Sequence, residues 1–593
     1  MHALSKSLRP FVIPVICLAT LATILVVLVS RNDSWIYTRP GWLDPWTYVG
    51  FGYEYANPLF LPGHYKMSRL PWVLAEFSVR QLFNVVAAQY VLQLGALFIE
   101  GAFFFLAIKR LLGSVSAVVS AAFLLTVTFA HGPAHSSGGA DYHTALSGPL
   151  FACSFYFLTR AAESGSVITS FLFGAVIGMT VHTNPLYLNF GAALTIHCVS
   201  IWIEQRRTGW ISLLLKLVAI ATAGALSITL VLCIVNWLDG REFLFFLPQI
   251  AYTKFYLLDR TQTAHWWKSW ENGWYWDSEY LALICAGFIV ATVLPLVAAY
   301  FSMDRKVRIY IQSLSFQYLI LALIWIAWQT FGRDALQPGY FAYPLWIPLA
   351  GVVACLIALH GDRIDAFNIF LVCGTSVIAF AFPYSFYGDL ARVIAFLPTV
   401  PFEKVFVTFL IIFSAAIILA RRRGGIYILA LLLGIGNALS AEYPEFYSRE
   451  GCTASRDGQV VITSIHKYLA SLDPTFTRVL LWAARDEEES LTPCANMPTR
   501  FFADSTAFTG FRHLVSDRSG QVMLDPYTPI TKIDGKILTD AIKADSIIVL
   551  VTRRAELPEQ LRKRFAAMGK IYGTARNKSF TAGTITVPLF ILK

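Results

Sequence analysis

The residues best suited to chemistry lie close together in one segment, from Trp35 to Asn84. Acidic, basic and aromatic residues alternate in its runs Gly41–Tyr48, Tyr53–Tyr55 and Pro62–Trp72. They do not follow the 3.6-residue period of a plain amphipathic helix. Tryptophan and tyrosine settle at membrane–water boundaries. The pattern therefore predicts a working surface just outside a bilayer.

The first two carboxylates of this segment are Asp44 and Glu54. A carboxylate near a membrane surface is costly to dehydrate, which favours a functional role. Pro45 follows Asp44, and Asp before Pro is also a common start of a helix. A functional group and a helix cap are both consistent with this pattern. His64 and Arg69 add candidate substrate-binding groups.

A third acid, Asp141, ends the next polar stretch and directly precedes a predicted helix. Glycines and the histidines His135 and His143 surround it, which predicts a small polar pocket at the bilayer edge. A helix cap at the end of a solvated loop is the alternative interpretation.

Basic residues in two later loops could bind a lipid phosphate. Arg260 and Lys268 lie in the loop 237–278, whose general character is that of an interfacial segment with an aromatic belt. Arg333 lies in the next loop, and arginine suits bidentate phosphate recognition. A structural pair between Arg333 and Asp334 is equally consistent with the sequence.

Composition indicates what must position these residues. The chain has 593 residues, 56% of them hydrophobic and only 14% charged, whereas soluble proteins average about 25% charged residues. Apolar segments of about 20 residues recur, and each can cross a hydrocarbon core. We predict a polytopic α-helical membrane protein with about thirteen transmembrane helices. They are predicted at 11–29, 85–107, 111–130, 144–159, 167–181, 185–203, 211–236, 279–301, 308–330, 341–359, 366–382, 402–420 and 425–440.

The distribution of basic residues predicts the orientation. Lys and Arg concentrate in the short connections on one side, such as Lys109–Arg110, together with Lys6 and Arg9. This side, with the N-terminus, is therefore predicted to be cytoplasmic in an inner or plasma membrane. An odd number of crossings then places the chain after Ala441 outside. These loop charges account for much of the net charge of +10, so no nucleic-acid partner is predicted.

Two domains follow from this topology. Residues 1–440 form the transmembrane domain with its first external loop, 30–84, and residues 441–593 form an extracytoplasmic α/β domain. Its predicted strands are 478–484, 546–552 and 585–592, and its predicted helices lie near 459–472, 535–544 and 555–568. No Gly-rich phosphate motif follows these strands, so no nucleotide site is predicted.

Several motifs, in order and placement, resemble the GT-C glycosyltransferases, specifically the branch of protein mannosyltransferases and lipid A aminoarabinose transferases. In chain order they are Leu43–Tyr48, Asp141–Arg160, Gly174–Asn184 and Gly339–Leu345. The resemblance covers about residues 11–440. Pro45 stands where many members have a second acid, and Asn184 where many have lysine. The Trp-Trp-Asp motif of oligosaccharyltransferase subunits is absent from the tail.

The resemblance implies sugar transfer from a polyprenyl-phosphate-linked donor to a glycan, lipid or protein acceptor at the outer face. Asp44 would be the general base, and Asp141 would orient the acceptor or hold a cation. Arg69, Arg260 or Arg333 would offset charge on the departing phosphate. The remaining candidate catalytic or substrate-binding residues are Glu54, His64, His143, Lys268 and Tyr340.

No cofactor is required by this chemistry. A divalent cation could still bind, because Asp44, Glu54, Asp141 and His143 offer hard ligands.

Two other classes of protein remain open. An O-antigen polymerase or ligase also uses lipid-linked sugars at the outer face, but it concentrates arginines in one large late loop, and loop 383–401 is modest here. A transporter would place charged residues near mid-depth in its helices, and the predicted helices contain almost none.

The cysteines provide a first testable prediction. Seven of the nine fall inside predicted helices, and only Cys452 and Cys494 lie in the tail. Two cysteines in an external domain favour a disulfide, which would close a loop of about forty residues and contribute roughly 3–4 kcal/mol. Proteolytic mapping without reductant should recover the two linked peptides. Alkylation of both thiols in the native purified protein would instead show two unpaired cysteines.

Overall fold

The structure is a computed structural model, and thirteen α-helices and four β-strands stand among the residues it describes. These residues are 17–26, 36–38, 43–58, 63–131, 144–258, 304–331, 343–358, 454–471, 478–483, 546–551, 578–583 and 585–592, with a few single positions between them. The helices are α1 (Cys17–Val26), α2 (Leu43–Glu54), α3 (Leu70–Leu82), α4 (Val85–Leu112), α5 (Ser114–His131), α6 (Thr144–Ser164), α7 (Val167–Thr183), α8 (Gly191–Glu204), α9 (Trp210–Leu238), α10 (Leu247–Leu258), α11 (Arg305–Phe331), α12 (Tyr343–Ala358) and α13 (Ala454–Ala470). Short 3₁₀ helices occupy Tyr65–Ser68 and Pro185–Phe190.

Most of the long helices coincide with predicted membrane segments. These are α1, α4 to α9, α11 and α12. By length and composition, α4 and α9 are sufficient to cross a membrane. The predicted helices at 279–301, 366–382, 402–420 and 425–440 fall largely or wholly outside the described residues.

Local sequence signals set the ends of α4. The Asn84 side chain accepts a hydrogen bond from the Ala87 amide at 2.9 Å, as an N-cap does. The helix ends at Gly113, whose φ of 91° favours glycine. Lys109 and Arg110, predicted to be a connection, instead belong to the last turn of α4. Their charges complement the negative end of the helix dipole there.

Helices α7 and α9 cross at two glycines. A Cβ built on Gly174 would collide with the carbonyl oxygen of Ala221, and one built on Gly224 would collide with that of Phe171. Small residues let helix backbones approach closely in a membrane, where packing rather than the hydrophobic effect drives association.

The predicted first external loop, residues 30–84, contains two helices that its sequence pattern did not predict. Helix α2 has no clear polar face because its aromatic residues are buried around it, including Trp46, Tyr48 and Phe51. Helix α3 begins with Pro71 in its first turn, a favourable position for proline. Helices α2 and α3 are therefore stabilised by packing against other elements rather than by an amphipathic pattern.

Four strands near the C-terminus form one mixed sheet in the order β1-β2-β4-β3. They are β1 (Arg478–Ala483), β2 (Ser546–Val551), β3 (Lys578–Ala582) and β4 (Ile585–Leu592). Strands β1 and β2 are parallel, whereas β4 is antiparallel to both β2 and β3. The three predicted strands are confirmed, and β3 was not predicted. Cys452, Cys494 and the predicted helices 535–544 and 555–568 lie largely outside the described residues.

The glycine crossing provides a stability test. Gly174→Ala should lower the melting temperature in detergent, because its Cβ has no space against Ala221. Gly95→Ala, within α4, is the matched control. A Cβ at Gly95 meets nothing within 4 Å, so alanine should leave stability equal or raise it by up to about 1 kcal/mol. Equal melting temperatures for the two variants would contradict the close crossing.

Candidate functional site

Helix α2 carries two of the candidate carboxylates at its opposite ends. Asp44 is its second residue and Glu54 its last. Asp44 therefore lies inside the first turn rather than before it. The positive end of the helix dipole favours a carboxylate at this position. Holding Asp44 in place thus depends on what holds α2.

Arg241 closes the C-terminal end of α2. Its Nε donates to the Tyr55 carbonyl oxygen at 3.1 Å, and its Nη2 donates to the carbonyl oxygens of Tyr55 at 2.9 Å and Asn57 at 2.6 Å. The guanidinium also lies 5.5 Å from the centre of the Tyr55 ring. The last carbonyl groups of a helix lack intrahelical partners and carry partial negative charge. The guanidinium of Arg241 donates hydrogen bonds to these carbonyl groups and places a positive charge beside their partial negative charge. It also joins α2 to the segment that follows α9.

Burial affects both ionisable partners in this contact. It lowers the pKa of Arg241, an effect that the charges of Tyr55 and Asp239 oppose. It raises the pKa of the Tyr55 phenol, and the nearby Asp239 acts in the same direction. The phenol therefore stays neutral at physiological pH, while an arginine in a protein keeps its charge.

Glu54 connects α2 to the C-terminal region. One carboxylate oxygen lies 3.2 Å from His466 Nε2 on α13, and the other accepts a hydrogen bond from Asn57 Nδ2 at 3.2 Å. The Tyr53 ring packs against His466 with centroids 5.9 Å apart. Glu54 is thus committed to structural contacts, which makes it a weaker candidate for the general base than Asp44.

Gln459 forms a second connection between α13 and the first external loop. Its Oε1 accepts hydrogen bonds from the Thr38 amide at 3.1 Å and from Gln89 Nε2 at 3.3 Å. Gln89 Nε2 also lies 3.1 Å from the Ile36 carbonyl oxygen. Gln459 is fully buried, and a buried amide is costly unless it is hydrogen-bonded. The contact therefore fixes the relative position of α13, α4 and the loop.

A buried ion pair supports α2 from its other side. Arg80 and Glu76, one turn apart on α3, pair with both side chains inaccessible to solvent. Arg80 also donates to Gln89 Oε1 at 2.8 Å and lies 5.5 Å from the Tyr53 ring centre. Breaking one partner of such a pair leaves an uncompensated buried charge, which costs about 3–5 kcal/mol.

The segment from His64 to Arg69 brings basic and aromatic groups to the end of α7. His64 Nδ1 accepts from the Lys66 amide at 3.3 Å and caps the 3₁₀ turn. Lys66 lies within the turn and is buried, and Arg69 is the residue that ends it. Arg69 Nη1 donates to the Thr183 carbonyl oxygen at 3.3 Å, and its buried Nε has no partner among the described residues.

Aromatic stacking and a hydroxyl join this segment to α10. The rings of Tyr65 and Tyr252 stack with centroids 4.0 Å apart. Ser68 Oγ donates to the Phe245 carbonyl oxygen at 2.8 Å and accepts from the Gln249 amide at 3.2 Å. The first external loop and the loop after α9 therefore form one surface.

Sequence analysis missed Lys66, which is buried with its Nζ about 6.0 Å from the Tyr48 ring centre. Its place directly after Tyr65, in a segment rich in aromatic residues, was the available signal. Of the predicted site residues, four lie in described segments: Asp44 and Glu54 at opposite ends of α2, and His64 and Arg69 on either side of the 3₁₀ turn Tyr65–Ser68. Asp141, His143, Arg260, Lys268, Arg333 and Tyr340 lie outside the described residues. Within the described residues, no three His, Cys, Asp or Glu side chains form a metal-binding group.

The contact between Glu54 and His466 can be tested by a double-mutant cycle. Glu54→Gln and His466→Gln should be coupled by about 0.5–3 kcal/mol, since the two groups touch. The exposed Arg110–Glu163 pair, at 2.7 Å, is the control, and its coupling should not exceed about 1 kcal/mol. Unfolding in detergent provides the measurement. Additive effects of Glu54→Gln and His466→Gln would contradict the contact.

Comparison with known proteins finds solved structures with a similar fold. No family model and no curated protein matches the sequence. Among solved structures, the chain is similar to ArnT from Cupriavidus metallidurans bound to undecaprenyl phosphate, with a TM-score of 0.50 and 15% identity over 96% of this chain and 97% of that one. The apo structure of the same protein covers 96% of this chain and 98% of its own, with a TM-score of 0.45 and 16% identity. The chain therefore shares, along nearly its whole length, the fold of the ArnT structure that holds undecaprenyl phosphate.

Proposed function

We propose that this protein is a membrane glycosyltransferase that moves a sugar from a polyprenyl-phosphate-linked donor to an envelope glycan, lipid or protein at the outer face. The observation that carries the proposal is the likeness in fold, over 96% of the chain, to an ArnT structure that holds undecaprenyl phosphate. The proposed orientation puts the N-terminus in the cytoplasm and residues 441–593 outside. The surface built on α2 and the first external loop would then face the lipid-linked donor.

The segment around Arg69 suits the phosphate of such a donor. The buried Nε of Arg69 has no partner among the described residues, and a second basic residue, Lys66, lies three residues before it. Charge-assisted hydrogen bonds from basic groups strengthen as negative charge develops on a departing phosphate. Arg260, Lys268, Arg333 and Tyr340 are further candidates for this contact, with His64 and His143 beside the sugar.

Asp44 is the proposed general base. In the transfer step, its carboxylate takes the proton of an acceptor hydroxyl as the hydroxyl oxygen bonds to the anomeric carbon of the sugar. The bond between that carbon and the phosphate oxygen breaks, and polyprenyl phosphate leaves with the electron pair. A base held on an anchored helix acts with little reorganisation. Asp141 would orient the acceptor or hold a cation.

Asp44→Asn should reduce turnover of a purified polyprenyl-phosphate sugar by about 10²–10⁴-fold, the usual contribution of a positioned base. Asparagine keeps the size and shape of aspartate, and the charge that it removes from the first turn of α2 is worth only about 0.3–1 kcal/mol, so the melting temperature should change little. Asp44→Ala would confuse the test, because it also removes the polar side chain from that turn.

Asp304→Asn is the matched control, because Asp304 also starts a helix. Its Oδ1 accepts hydrogen bonds from the amides of Lys306 at 2.8 Å and Val307 at 3.2 Å. This variant should keep full turnover. If Asp44→Asn also turns over at the wild-type rate, Asp44 is only part of a helix start, and the base must be sought at Asp141 or Glu54. Mass spectrometry of envelope glycans and lipids from a deletion strain would identify the acceptor.

A further inference from the structure

Polar side chains follow one another along a buried face of α4. Gln89, Gln93 and Glu100 are four and seven residues apart and at most 1% exposed. At 3.6 residues per turn, these spacings place all three on the same side of the helix. Sequence analysis did not single out Glu100, because one acid in a long apolar segment does not interrupt the hydrophobic pattern.

The Glu100 carboxylate lines a small cavity between α4, α5 and α6. Thr128 Oγ1 donates a hydrogen bond to Glu100 Oε1 at 3.1 Å, whereas the buried Glu100 Oε2 has no partner. A Cβ built on Gly148 would lie 3.0 Å from that oxygen, so glycine leaves the space beside it. Gln93 and Thr144 add polar groups to the lining. The remaining lining residues, Ala96, Leu97, Ala145 and Pro149, are apolar.

An ionised carboxylate in such surroundings needs a compensating charge. Its dehydration costs several kcal/mol, which one neutral hydrogen bond does not offset. No basic side chain among the described residues pairs with Glu100. Either a proton or a cation must therefore supply the positive charge when the protein folds.

The donor set favours a hard monovalent cation. The polar residues that line the cavity are Glu100, Gln93, Thr128 and Thr144, whose side chains carry oxygen donors of the kind that hard cations prefer. It contains no thiolate or imidazole, so soft metals have no suitable ligands here. A single carboxylate balances one positive charge, whereas a divalent ion would leave an excess charge in a region of low dielectric constant.

We propose that the cavity around Glu100 binds a sodium ion, held by Glu100 and Thr128 with Gln93 and Thr144. Thr144 is the first residue of α6 and Thr128 lies three residues before the end of α5. A bound ion would therefore hold together the ends of the two helices that flank residues 132–143, which include Asp141. The ion has a structural role, and the inference does not depend on the proposed glycosyl transfer.

Sodium binding can be measured on the full-length protein in detergent without any substrate. The melting temperature should rise with the logarithm of sodium concentration once it exceeds the dissociation constant, with choline chloride keeping the ionic strength constant. Radioactive sodium should bind saturably at one ion per chain. Glu100→Gln should weaken that binding at least about tenfold, because even indirect contacts to a metal are worth 10–100-fold.

Two further variants keep the test decisive if Glu100→Gln folds poorly. Thr128→Val keeps the side-chain shape but removes the hydroxyl, and it should weaken sodium binding. Glu163→Gln changes an exposed acid on α6 and should leave sodium binding unchanged. Equal melting temperatures in sodium and choline, with stability that responds only to pH, would show a proton at Glu100 and overturn the proposal. Stabilisation by magnesium or calcium but not by sodium would overturn it as well.

Discussion

At and just beyond the end of α2, the carbonyl groups of Glu54, Tyr55 and Asn57 need hydrogen-bond donors, because no further turn of helix supplies them. Arg241 provides these donors from the far end of α9, over a sequence separation of more than 180 residues. An isolated helix of twelve residues is marginal in water. The guanidinium, together with the burial of the α2 aromatics, explains why this segment is a helix at all. Asp44, the candidate base at the other end of α2, is therefore held in place by the same contacts.

The same helix is held from two other directions. The Arg80–Glu76 pair lies against Tyr53 on one side, and α13 contributes His466 on the other. Each contact joins a different part of the chain to α2: α3, α9 and the C-terminal region. A catalytic group benefits from such support, because a small displacement from the productive geometry costs rate. The C-terminal region thus acts on the candidate site by positioning it, without supplying a described residue to the chemistry.

The sequence was sufficient to predict the long helices and three of the four strands, because each depends on a local pattern of hydrophobic residues. Helices α2 and α3 escaped prediction because their stability comes from contacts with distant residues, and no local period reports those contacts. The roles of Arg241 and Gln459 could not be predicted either, because they too depend on contacts between residues that are distant in the sequence. Each satisfies backbone or amide groups that are close only after folding. Asp44 could be singled out, because its position depends on the order of motifs along the chain.

The buried polar groups discussed above divide into two kinds. In one kind the protein itself supplies the partners, as for Arg241 with its three carbonyl oxygens and Gln459 with its two donors. In the other, at least one buried atom has no described partner, as for Arg69 Nε and Glu100 Oε2. Leaving a buried polar atom unpaired costs about 1–3 kcal/mol, and more when the group is charged. The first kind fixes the architecture, and the second points to where ligands would contribute binding energy.

Arg69, at the surface formed with α7 and α10, would then match an anionic ligand, whereas Glu100, enclosed between α4, α5 and α6, would match a small cation. Because the two groups have opposite charges and different surroundings, one ligand cannot serve both, and the two proposed ligands would occupy separate sites.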